Sequence, residues 1–239
     1  VVIKFSLRAA GIVIGIYAGI TGIVQDLPLS FDELSSFTSG LLILAVCTRI
    51  GLIPNTPILP QRLPTQAGYG ALLRIITTAA HFPLLVKVAR SGAPPQMQAF
   101  FWIWTAATAF LSAISWVSAP DSRAGRHYLV IGISSLVVAS AMSQQPQAVI
   151  AFGWMLMLPG SLVLISTYRD RWHTILLFLA ALTITGLPYS PGWQAVLLYS
   201  GNFHAAWLLM LPAQSLILVG FLSHSFNLNA QNKPAERWS

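Results

Sequence analysis

From Thr174 to Ser223 this chain runs 50 residues without a formal charge, and from Tyr128 to Tyr168 it runs another 41. No water-soluble domain tolerates such stretches. A solvated surface is roughly 25 % charged, whereas here only 8 % of 239 residues are Asp, Glu, Lys or Arg. Apolar residues make up 55 %, and the mean hydropathy is +0.69. These values exclude a disordered chain, a coiled coil and an ordinary soluble enzyme. Lipid is the expected solvent for most of the chain.

The sparse charges mark where the chain leaves that solvent. Ala9–Val24 is uncharged, with Lys4 and Arg8 before it and Asp26 after it. Leu34–Ile53 follows, interrupted by Arg49, and then a Pro-rich stretch, Pro54, Pro57, Pro60 and Pro64. Ala67–Val88 contains Arg74, and Gln98–Ala119 carries no charge. The 41-residue run has Gln144, Gln145, Pro146 and Gln147 at its middle, which predicts two crossings joined by a tight polar turn. The 50-residue run breaks at Gly186–Gly192 and near Gly201-Asn202, which predicts two more, the first of them broken. The sum is an all-α polytopic bundle of about eight crossings over 1–226, with two broken helices and a polar tail over 227–239. Each apolar run is about twenty residues, as roughly 30 Å of hydrocarbon requires of a helix. Transmembrane strands would alternate over about ten residues.

Eight crossings put both termini and the even connections on one side. That side holds Lys4, Arg8, Arg62, Arg123, Arg126, Arg169, Arg171, Lys233 and Arg237. The other holds Lys87 and Arg90 with Asp26, Asp32 and Glu33. The asymmetry follows the positive-inside rule and predicts cytoplasmic termini. The net charge of +7 then reflects helix flanks and attraction to anionic lipid. Nucleic acid is not an expected partner, because no basic patch interleaves with aromatics. The single cysteine, Cys47, excludes an intrachain disulfide and a cysteine metal cluster. Residues 1–25 lack the order of features of a signal peptide. No P-loop, Gly-rich dinucleotide motif, His-Glu metal motif or nucleophile–base pair occurs. Five scattered histidines give no pattern for haem, so no cofactor is expected and the chain is not expected to be an enzyme by itself.

The chemically unusual residues are cations inside apolar segments. Arg49 and Arg74 are expected to face the bundle interior or a partner helix, or to snorkel toward an interface. Arg74, Thr77, Thr78 and His81 are spaced i, i+3, i+4 and i+7, which on a continuous helix makes one polar face. Such a face suits a proton relay; equally, the threonines can bond back to carbonyls while His81 packs. His204, beside Asn202, is a further relay candidate or an interfacial residue. No carboxylate lies inside any crossing.

Four stretches, in order, resemble one family. Arg49-Ile-Gly-Leu-Ile-Pro54-Asn-Thr-Pro57-Ile-Leu-Pro60 is similar to a Lys-x4-Pro-x3-Trp-Leu-Pro broken helix. Pro64-Thr65 and Ala71-Leu72-Leu73-Arg74-Ile-Ile-Thr-Thr resemble a Pro-Thr-Pro … Ala-Leu-(Ile/Leu)-His-Ala-Ala-Thr helix. Arg126-His-Tyr-Leu129-Val-Ile-Gly132-Ile-Ser-Ser135 is similar to Lys-Arg-x-Leu-Ala-Tyr-Ser-x-x-Ser. Gly186-Leu187-Pro188-Tyr-Ser-Pro191-Gly192-Trp193 resembles a Gly-(Ile/Leu)-Pro-Pro-x-x-Gly-Phe break. The family is the antiporter-like, proton-translocating membrane subunits of NADH–quinone oxidoreductase and of multi-subunit cation/proton antiporters. The resemblance covers nearly the whole chain and implies a subunit of a larger electron-transfer or transport complex, with other membrane subunits and lipids as partners. The departures are chemical. Arg49 stands at the family's buried Lys, Arg74 at its buried His, Ile58 at its Trp, and Val196 at the Lys after the second break. Arginine does not deprotonate in a protein. The resemblance therefore implies a degenerate, structural and non-pumping member. The alternative is an active path through His81, Thr77 and Thr78, gated by Arg49 and Arg74.

Overall fold

The computed structural model describes residues 2–24, 35–52, 75–120, 122–165, 171–200 and 204–226. Among them there is no strand. The helices are α1 (Val2–Val24), α2 (Ser36–Ile50), α3 (Phe82–Ser91), α4 (Pro95–Val117), α5 (Ser122–Met142), α6 (Pro146–Ile165), α7 (Arg171–Thr185) and α8 (Trp207–Phe226). A further helical piece covers 75–79, and a 3-10 helix covers Trp193–Tyr199. Three helical stretches, Pro95–Val117, Ala124–Met142 and Trp207–Ser225, are long and apolar enough to cross a membrane. The stretches Ala9–Val24, Ser36–Ile50 and Thr174–Thr185 are apolar but shorter. Arg74, the Pro54–Pro64 stretch, Asn202 and the 227–239 tail lie outside the described residues.

The polarity runs inside-out. Helix α5 packs on α4, α6, α3 and α8, and every side chain from Leu129 to Met142 is buried. Yet α5 carries Ser134, Ser135 and Ser140 within that buried run. Leucine, isoleucine and phenylalanine point outward instead, among them Ile103 on α4, Phe178 on α7 and Leu208 on α8, each more than half exposed. Water would penalise that arrangement, and hydrocarbon accepts it. Several inner hydroxyls bond within their own helices, Ser135 to the Ile131 carbonyl (2.8 Å), Ser140 to Leu136 (2.8 Å) and Thr105 to Phe101 (2.7 Å), whereas the Ser134 hydroxyl has no hydrogen-bond partner. A hydroxyl that bonds its own helix needs no partner from another.

Helix directions follow from side-chain pairs. Gly11 and Gly15 of α1 face Thr48 and Ala45 of α2, so the two are antiparallel. Ile75, Phe82 and Gly92 face Gly160, Gly153 and Gln144, so the segment 75–91 descends against α6. Helices α4 and α8 are parallel and clamped at two points. Just ahead of α8, His204 stacks on Trp102, with ring centroids 4.6 Å apart. At the other, His224 packs on Trp116 at 4.3 Å and donates from Nε2 to the Trp116 carbonyl (2.9 Å). Trp116 Nε1 in turn donates to the Ile217 carbonyl (3.2 Å). The turn expected at Gln144–Gln147 is present: Gln144 adopts φ 56°, and its amide donates to the Ser91 carbonyl (3.1 Å).

The Trp116 ring is fully buried because glycines make room for it: a Cβ on Gly125 of α5 or on Gly220 of α8 would overlap the indole. Gly220→Ala is expected to cost about 1–3 kcal/mol through overpacking, read as a lower thermal midpoint by tryptophan fluorescence in detergent. Gly19→Ala, where a Cβ meets nothing within 4 Å, is expected to leave the midpoint unchanged or raise it, by helix propensity.

Candidate functional site

Three interruptions of helical backbone define the candidate site. Helix α2 stops at Ile50. Gly51 takes φ 86°, and its N–H caps the Cys47 carbonyl (3.2 Å). A side chain would strain that left-handed backbone. The second interruption is at Ala80–His81, between the 75–79 piece and α3. Pro83, in the first turn of α3, explains it. Proline lacks an N–H, and its ring clashes with the preceding turn, so a helix restarts at it rather than running through it. The third is the turn after α7, where Gly186 (φ 64°) and Tyr189 (φ 66°) reverse the chain ahead of the 3-10 helix.

All three stand at one depth in the bundle. The Leu52 carbonyl, just past α2, accepts from Trp104 Nε1 (2.8 Å) near the middle of α4. Phe82 packs on Gly153 of α6. Gly192 approaches Met155 of α6 and the Thr183 carbonyl of α7 so closely that a Cβ there would overlap both. Trp104 lies about 15 Å along α4 from Pro94, and Gly153 about 14 Å along its helix from Gln144, at 1.5 Å per residue. Both reference points belong to the same end, where Gly92 meets Gln144 and Gly40 meets Pro94. Helix α6 is therefore flanked at its mid-length by two broken segments. Sequence reading located the Gly186–Gly192 break. It missed the one at His81, although Pro83 was the available signal.

The predicted residues divide accordingly. Arg49 and His81 come together at this depth, near enough for the Arg49 charge to act on the His81 ring. Arg49 is exposed on the surface of the chain and His81 is half-buried; interior placement, one expectation for Arg49, is not what the fold gives. His81 Nδ1 donates to the Thr77 carbonyl (2.7 Å). Thr77 is exposed and Thr78 buried, and the Thr78 hydroxyl has no hydrogen-bond partner. The continuous polar face expected of Thr77, Thr78 and His81 is thus divided by the backbone break. His204 is exposed and stacks on Trp102 of α4, two residues before Trp104 and so close to the same depth. Val196, on the 3-10 helix, is exposed.

Two open grooves border the third break. One, of about 490 Å³, is lined by Leu158, Leu176, Leu179, Thr183, Leu187 and Pro191. The other, of about 660 Å³, lies between Ile150, Trp154, Tyr189, Trp193 and Gln194. Among the described residues no group of three or more His, Cys, Asp or Glu could hold a metal ion. No protein-family model matches this chain, and no curated protein or solved structure is similar to it.

Gly192→Ala pushes a methyl into the Thr183 backbone carbonyl, which cannot rotate away. The expected result is a destabilisation of about 3 kcal/mol, at the upper end of overpacking costs, seen as a lost or strongly lowered thermal transition. Leu187→Ala, at an exposed position of the same turn, is expected to leave the transition in place.

Proposed function

We propose that this chain is an integral membrane subunit of a larger electron-transfer or transport assembly, similar to the antiporter-like subunits of NADH–quinone oxidoreductase, and that it serves there structurally rather than as a proton pump. In this reading it makes about eight crossings of an inner, plasma or thylakoid-type membrane, with both termini on the cytoplasmic or equivalent side. The observation that carries the non-pumping role is the chemistry at the depth of the breaks. A relay needs groups that take up and release protons near neutral pH. Among the described residues near that depth, the groups of this kind are His81, whose Nδ1 proton is committed to the Thr77 carbonyl, and the exposed His204, which stacks on Trp102. Arg49 stays charged throughout any cycle. Val196 offers no ionisable group where the family has its Lys. Arginine can bias the field at the break but cannot pass a proton along.

The inside-out polarity and the three long apolar helices support the membrane assignment. The order of the four motifs supports the family likeness. Broken helices at mid-depth support it as well, because such breaks are a property of ion-translocating folds.

The test reconstitutes the intact assembly in vesicles and compares proton stoichiometry for the parent protein and His81→Ala, with subunit composition checked each time. Unchanged stoichiometry with full assembly is expected. A clear loss with assembly intact would reverse the conclusion in favour of an active path through His81, Thr77 and Thr78 with Arg49 and Arg74 as its electrostatic gates.

A further inference from the structure

The two grooves beside the third break form one track along α6. They share a wall, Pro188–Pro191. The larger lies against Ile150 and Trp154, which stand about 6 and 12 Å along α6 from Pro146 at 1.5 Å per residue. The smaller lies against Leu158, about 18 Å along, and continues between Leu176, Leu179 and Leu187. Tyr189 stands at the junction. It is fully exposed, on a left-handed backbone (φ 66°) that bulky residues rarely adopt.

The two halves differ in chemistry. Leucines and prolines dominate the smaller groove. The larger presents two indoles, Trp154 and Trp193, each about half exposed, and the exposed amide of Gln194. An indole N–H only donates, and a glutamine amide carries two donor hydrogens. None of these three side chains is hydrogen-bonded to another described residue. No charged residue lines either groove. The larger groove therefore fits a neutral hydrogen-bond acceptor, and the smaller a hydrocarbon chain. Helical side chains lean toward the helix N-terminus, so the Trp154 indole reaches back toward the face of the membrane at which α6 begins.

We infer that this track holds one glycerolipid: its ester carbonyls accept from Trp154 Nε1, Trp193 Nε1 and the Gln194 amide, and one acyl chain passes Tyr189 into the leucine groove. This rests on the reading of the chain as an integral membrane protein. A glycerolipid carries the two chemistries in the order the track needs. Its esters sit at the edge of the hydrocarbon and its chains run inward from there. Aromatic side chains with a polar edge favour the same boundary. A transmembrane helix matches less well, because its backbone carbonyls are already bonded within the helix. Since the track is uncharged, it selects for ester and chain rather than for the headgroup.

The test places the protein, with whatever subunits extract with it, in vesicles of equal parts dioleoyl phosphatidylcholine and its dialkyl ether analogue. The analogue has the same head and chains but no ester carbonyl. The protein is re-extracted in mild detergent, and the retained lipid is counted by mass spectrometry. The parent protein is expected to retain the ester lipid at least tenfold over the ether. Gln194→Leu is expected to lower that ratio at least threefold. Leu179→Trp, which narrows the leucine groove, is expected to lower retention of both lipids. A phosphatidylcholine with a diazirine at the end of one acyl chain is expected to label α6 and α7 around Leu158 and Leu179. Equal retention of ester and ether by the parent protein overturns the inference, as does an unchanged ratio in Gln194→Leu. So does labelling confined to other helices, the result expected if a partner helix fills the track. If alkaline carbonate releases the chain from its native membrane, the membrane reading fails and this site with it. In a chain that stays membrane-bound, the other failures strike the site alone.

Discussion

Lipid tails are as apolar as leucine, so burying leucine gains almost nothing inside a membrane. Helices there must be held by close shape and by satisfied polar groups. The architecture of this chain follows from that constraint. Its most enclosed helix, α5, carries three buried serines and a glycine at position 132, and its most apolar surfaces face outward. Where α4 and α8 meet, one indole, Trp116, lies against glycines of α5 and α8. It also ties α8 through Ile217 and His224. The helices touch closely because some positions lack a side chain, not because others are bulky.

The same constraint gives the backbone breaks their meaning. Exposed N–H and C=O groups are tolerated at membrane depth only when they are buried in protein or line a cavity. Two of the three interruptions meet this locally. The Leu52 carbonyl accepts from Trp104, and Gly51 caps its own helix. In the Gly186–Gly192 turn, Ser190 N bonds the Leu187 carbonyl (3.0 Å), and Trp193 N bonds Ser190 (2.9 Å). The breaks are therefore built positions of the fold. They bring Arg49, which is exposed, near enough to His81 for its charge to act on the ring.

That geometry separates two roles which the residue types alone leave entangled. A cation in an apolar segment can belong to an ion path or to an interface. Arg49 shares a depth with His81 and is exposed on the chain's surface, so both readings meet in one side chain. The guanidinium keeps its charge for as long as the protein is folded. A lysine at this position could lose its charge.

The sequence by itself determined the helical class, the tight turn at Gln144 and the break at Gly186–Gly192. Long uncharged runs, paired glutamines and a Gly-Leu-Pro … Pro-Gly stretch are local signals that do not depend on what packs against them. It also set the residue chemistry, a permanently charged arginine within an apolar segment. Only the tertiary structure decided which helices run parallel, that the Trp102–His204 and Trp116–His224 pairs clamp α4 to α8, and that three breaks share one depth. Pairings a hundred residues apart leave no local pattern, and the i, i+3, i+4, i+7 spacing of Arg74, Thr77, Thr78 and His81 predicts a common face only if the helix is unbroken. Pro83 breaks it at His81, and the Arg49 stem packs close to Gly11 of a different helix.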